Sequence, residues 1–141
     1  MPQTTQHIPD IGIVVITYTG KVTMPEVVEA TVQAIAIQKD RHTDLVLIDA
    51  SAMTAWPSLA DMWHLVKSYP ELEVPRQTRL AAVRPKVRDE TDISGFYKLV
   101  CQNRCYNAKA FQTHEEAEQW LRSDESADIP KDWPAGSQST G

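Results

Sequence analysis

"LVLIDASAMTAWPSLADMW", residues 45–63, is the stretch that decides the fold class. Leu45 to Asp49 is a continuous apolar run closed by a carboxylate, which suits a strand covered on both faces. A loop with Trp56 and Pro57 follows. Ser58 then stands before Leu59, Met62, Trp63 and Val66, which fall on one stripe of a helix. That helix is predicted to run to about Tyr69, where Pro70 stops it. A doubly covered strand feeding a helix is half of a strand–helix–strand unit, and such units build parallel sheets.

The same unit recurs on both sides. Upstream, "IVVITYT" (13–19) is β-branched and aromatic, hence a strand, with Gly20 closing it. A short strand ending at Ile8 and the turn residues "PDIG" (9–12) add an antiparallel hairpin at the edge. "TMPE" (23–26) opens a helix that reaches about Lys39: Thr23 and Glu26 have capping-box spacing, and Pro25 suits a first turn. Downstream, "TRLAAV" (78–83) is a strand and "RPKVRDETD" (84–92) a charged loop. A third helix, about Asp92 to Cys105, carries Ile93, Phe96, Tyr97, Val100 and Cys101 at helical spacing. "AKAF" (108–111) is a last short strand. "THEEAEQWL" (113–121) is a last helix, again with a capping box from Thr113 to Glu116. The predicted fold is therefore α/β, a mostly parallel sheet with an antiparallel N-terminal edge hairpin and about four helices, joined by right-handed crossovers. Residues 1–123 form one domain. Residues 124–141 are polar and acidic and are expected to be a mobile tail.

Composition bounds the function. The chain has 141 residues, 42% hydrophobic and 23% charged, with a net charge of −5. An acidic balance argues against a nucleic-acid partner, which wants a basic face. No apolar run approaches the roughly 18 residues of a membrane span, and no secretory signal pattern opens the chain. Two cysteines make no disulfide framework, so a cytoplasmic location is the expectation. No cofactor or metal motif is present: there is no phosphate-cradling glycine loop, and no second ligand pair accompanies Cys101 and Cys105 at zinc-site spacing.

Three segments carry a family resemblance: "VVITYTGKVTMPE" (14–26), "LVLIDAS" (45–51), and "RLAAVRP" (79–85) through "CYNAKAFQTHEEAEQWL" (105–121). Over roughly residues 12–122 the chain resembles the SpoIIAA-like proteins, relatives of the STAS (anti-sigma-factor antagonist) domains. The resemblance implies the fold above. It also implies two kinds of function, since relatives of this fold include phosphorylation-switched partner proteins and the CRAL-TRIO carriers of apolar lipids.

Ser58 stands where STAS antagonists hold a phosphoacceptor serine in an Asp-Ser-Ser-Gly-like motif. Here the stretch is Trp56-Pro57-Ser58-Leu59, without the acidic residue, the second serine or the glycine. Ser58 reads instead as a helix cap with Asp61 as its partner. Asp49 and Ser51 have no histidine at a spacing that would activate a serine, and Asp49 reads as a loop-capping carboxylate. Cys101 and Cys105 read as small buried apolar groups. Arg84, Lys86 and Arg88 read as a solvated loop balanced by Asp89, Glu90 and Asp92, with an anion or headgroup site as the alternative.

The aromatics carry the functional expectation. Trp56, Met62, Trp63, Tyr69, Phe96 and Tyr97 fall in or beside the second and third helices, which line an apolar cleft in the lipid-carrying relatives. The expected site is a gap between those helices, lined by Trp56, Met62, Trp63, Phe96 and Tyr97, with Arg84 or Arg88 near its mouth for an anionic head. The expected function is a non-enzymatic binding module for a small apolar or lipid-like molecule. The alternative is a STAS-type protein–protein regulatory module without the phosphoacceptor motif. Self-association into a homodimer is compatible with either.

Overall fold

The computed structural model describes residues 3–8 (backbone alone), 12–87 and 92–123. Arg88 and the expected tail, 124–141, lie outside the described residues. The elements are β1 (Gln3–Ile8), β2 (Ile13–Lys21), α1 (Met24–Arg41), β3 (Leu45–Ala55), α2 (Leu59–Lys67), α3 (Tyr69–Leu72), β4 (Arg79–Val83), α4 (Ile93–Asn103), β5 (Asn107–Phe111) and α5 (His114–Arg122). Strands β2 to β5 pair parallel in chain order, and β1 pairs antiparallel with β2.

Chain order fixes the layering. Each parallel step moves to the next strand in the same direction, so crossovers of one hand place their helices on one face. That face packs α1, α2, α3 and α4 against Val14, Ile16, Tyr18, Val46, Ala50, Leu80, Ala82 and Ala108. The opposite face carries Ile13, Val15, Leu47, Ala81 and Val83, packed with Ala117, Trp120 and Leu121 of α5. The period-2 alternation of strands assigns each side chain to its face.

Two expectations about strand ends are corrected. β3 does not stop at Asp49 but continues to Ala55, and Gly20 does not end β2. Gly20 lies at φ +66 where the register slips. Between Thr17 and Thr19, and again between Gly20 and Lys21, β3 supplies one residue more than β2. These bulges let the pair continue while switching which residues face inward. Val46, Ile48 and Ala50 lie on the side covered by α1 to α4; after the first slip Met53 faces that side, and Ala52 is exposed.

The helix starts follow their caps. The Thr23 amide and hydroxyl both donate to the Glu26 carboxylate, at 2.8 and 2.9 Å. Ser58 Oγ accepts the Asp61 N–H at 3.1 Å, a cap worth about 1 kcal/mol. The Asp92 carboxylate accepts the Gly95 N–H, and Thr113 Oγ1 accepts the Glu116 N–H, each at 3.1 Å. Pro70 does not stop the second predicted helix. α2 ends at Lys67, and Pro70 sits in the first turn of the separate α3, where its missing N–H has no helical partner to lose. Among the described residues the helices are therefore five rather than about four. Cys105 is also corrected. It lies beyond the end of α4 at φ +71, where the chain turns toward β5, and it is exposed; only Cys101 is buried.

Candidate functional site

On the α1–α4 face the helices do not close completely over the sheet. A cavity of about 80 Å³ remains; with its open mouth, the atom-free space between the walls is about 810 Å³. Ile16, Tyr18, Val46, Ile48, Leu80 and Ala82 form the floor. Val27, Thr31, Ala34 and Ile35 of α1 face Met62 and Leu65 of α2 and Ile93, Ser94 and Tyr97 of α4. Ala34, Ala50 and Ala82 are small where bulkier side chains would fill the space. The half-buried Trp56, Pro57 and Met62 give the cavity its more open end.

The polar wall groups fall into two sets. In the first set each side chain makes at least one hydrogen bond within the fold. Thr31 donates to the Val27 carbonyl at 2.8 Å. Gln38 Nε2 donates to Thr78 Oγ1 at 2.9 Å and to the Thr43 carbonyl at 3.3 Å. The Tyr69 and Tyr97 hydroxyls lie 2.7 Å apart, one donating to the other. Burial raises the phenol pKa of both well above its ordinary value, so both are neutral at any physiological pH. Cys101 packs against this pair, and burial pushes its thiol up to about 12, which removes thiolate chemistry. The second set is Tyr18 and Ser94, 4% and 6% exposed, whose hydroxyls have no hydrogen-bond partner among the described residues. Burial also raises the Tyr18 phenol pKa.

The structure brings together some of the residues expected from sequence and separates others. Trp56, Met62 and Tyr97 line the cavity. Phe96 packs half-buried against the same core without being one of the walls. Trp63 turns to solvent at 37% exposure, with the Lys67 ammonium 4.9 Å from its ring. Arg84 is ion-paired with Asp92 and is not a wall residue. Arg88 lies outside the described residues. The cavity also has a wall and floor that the two-helix picture omitted: α1 and the strands. Tyr18, the most consequential omission, was accessible from sequence, since it stands at period 2 from Val14 and Ile16.

A second polar constellation lies on the other face. Asp49 Oδ1 accepts the Ser51 N–H at 2.9 Å, and Asp49 Oδ2 lies 2.9 Å from His114 Nδ1. Burial pushes this carboxyl pKa up, but the hydrogen bonds from Ser51 and His114 outweigh it and leave it below the usual value. His114 Nε2 faces Glu118 at 3.6 Å, and Glu118 pairs with Arg122 at 2.7 Å. The carboxylate therefore stands between serine and histidine, whereas an activated serine needs the histidine in the middle. The arrangement ties the start of α5 to the middle of β3, so Asp49 is an interelement anchor rather than a loop cap. The far end of α5 is held by Arg79, which donates to the carbonyls of Trp120, Leu121 and Ser123. Among the described residues no three His, Cys, Asp or Glu side chains converge on a metal position, and no helix is long and apolar enough to cross a membrane.

No family model matches this chain, and no curated protein matches it.

Proposed function

We propose that this chain is a non-enzymatic binding module of the SpoIIAA-like, STAS-related class. Its cargo is a small apolar or lipid-like molecule held under α1, α2 and α4. The observation that carries the reading is the cavity, whose described walls include no charged side chain. Space of this kind, apolar over most of its walls, lowers stability unless something fills it. At about 80 Å³ the space exceeds that of one water but is smaller than the roughly 150 Å³ engineered cavity that takes benzene. A ring or the end of an acyl chain therefore enters with a modest shift of Met62, whose flexible thioether repacks readily. A longer chain leaves through the open end past Trp56.

One observation favours the docking alternative. Trp63 and Leu99 are 37% and 54% exposed on α2 and α4, on the outside of the helices that cover the cavity. A STAS-type partner surface would use these rather than the interior. Titration with the neutral dye N-phenyl-1-naphthylamine separates the readings. A saturable, one-to-one fluorescence gain with a change in tryptophan emission supports the interior site. Absence of saturation up to the solubility limit, with no apolar compound recovered by solvent extraction of the purified protein, refutes it.

A further inference from the structure

The cavity selects on polarity as well as on size. Its described walls offer no Lys, Arg or His to neutralise an anion, and no Asp or Glu to neutralise a cation. An ionised head group drawn inside would lose its hydration with nothing to replace it, a penalty that excludes carboxylates and ammoniums from the interior. Arg84, the described arginine nearest in sequence to the α4 entrance, is already paired with Asp92 and does not line the space.

Most of the remaining polar wall atoms are engaged by the protein itself. Thr31, Gln38, Tyr69 and Tyr97 all have partners within the fold. Tyr18 and Ser94 do not, and both side chains are more than nine-tenths buried. A hydroxyl that bonds no other group of the fold and lines a cavity is free to bond what enters that cavity, water or ligand.

We infer that the occupant is an uncharged apolar molecule with a hydrogen-bond acceptor, such as a ketone, aldehyde or ester carbonyl. The Tyr18 hydroxyl donates to that acceptor, with Ser94 as the second available donor. This rests on the binding-module reading above and names the ligand class for the same cavity. It replaces an anionic head near Arg84 with a neutral acceptor inside.

The test is displacement of N-phenyl-1-naphthylamine by three probes of one chain length: 2-octanone, octane and octanoate at pH 7. In the unmodified protein 2-octanone displaces the dye at concentrations where octanoate does not. In Tyr18→Phe the ratio of ketone to hydrocarbon affinity falls about 2- to 12-fold, the worth of one neutral hydrogen bond, while octane itself is unaffected. Ser94→Ala gives a smaller fall of the same sign. Octanoate displacing as well as the ketone overturns the inference, and that arm needs no variant to fold. A ketone-to-hydrocarbon ratio unchanged in Tyr18→Phe also overturns it while leaving the apolar site intact. If the dye does not bind at all, the binding-module reading falls and this one with it.

Discussion

Substituting Ala82→Ile makes the cavity itself the object of measurement. Ala82 lies on β4, on the cavity floor, between Ile48 of β3 and Ala110 of β5 in register. Isoleucine adds three carbons and is β-branched, which suits a strand. Burying three methylene equivalents stabilises by about 2.4 kcal/mol at roughly 0.8 each. A second route gives a similar figure: removing an 80 Å³ void at about 24 cal/mol per Å³ recovers about 2 kcal/mol. Fixing the new side chain costs about 0.5–1 kcal/mol. The net expectation is a gain of about 1–2 kcal/mol, or about 3–8 °C in Tm for a domain of this size. The assay is urea and thermal unfolding followed by circular dichroism, with an unchanged m-value as the check on the reference state. The same variant should lose dye binding, because the added carbons occupy the site. In a floor already packed to native density the identical change would overpack and cost about 1–3 kcal/mol. The sign therefore decides. A loss of 1 kcal/mol or more, or dye binding retained at full affinity, would refute the void on which the functional proposal rests.

Two further outcomes follow from the polar interior. Tyr69→Phe or Tyr97→Phe alone leaves the other hydroxyl buried without its partner and should cost about 1–3 kcal/mol, while the double variant should cost much less than the sum of the two; strict additivity in a double-mutant cycle would show that the pair does not interact. Asp49 has a folded-state carboxyl pKa below its unfolded one, so its contribution is present above the unfolded value near 4 and disappears as pH falls through the folded value. Asp49→Asn should accordingly lower stability by about 1.5–3 kcal/mol at pH 6–7, with the deficit shrinking below about pH 4; a deficit that does not change between pH 7 and pH 3 would mean that the carboxylate charge is not what holds α5.

The sequence by itself determined the alternation and hence the α/β class. Leu45 to Ile48 is apolar without a break, so the strand had to be covered on both faces, and β3 does carry core residues on each. The caps at Ser58 and Thr113 were legible because a hydroxyl three residues before the amide it serves is a local signal. Trp56, Met62 and Tyr97 were grouped through the cleft that the family resemblance implies; helical spacing fixed only the faces of Met62 and Tyr97. What the sequence could not determine was any feature set by a pairing partner or by the space between elements. The extension of β3 to Ala55 depends on β2 remaining beside it through two bulges, and those bulges turn Met53 rather than Ala52 inward. Tyr69 and Tyr97 find each other across 28 residues, and Asp49 and His114 across 65. The cavity belongs to the same class, because a void is the distance by which three helices and a sheet fail to meet. Which hydroxyls remain unpaired in it is likewise a property of geometry rather than of composition. Tyr18 reads from sequence as one more alternating strand residue, and only the packing of α1, α2 and α4 above it leaves its hydroxyl without a partner.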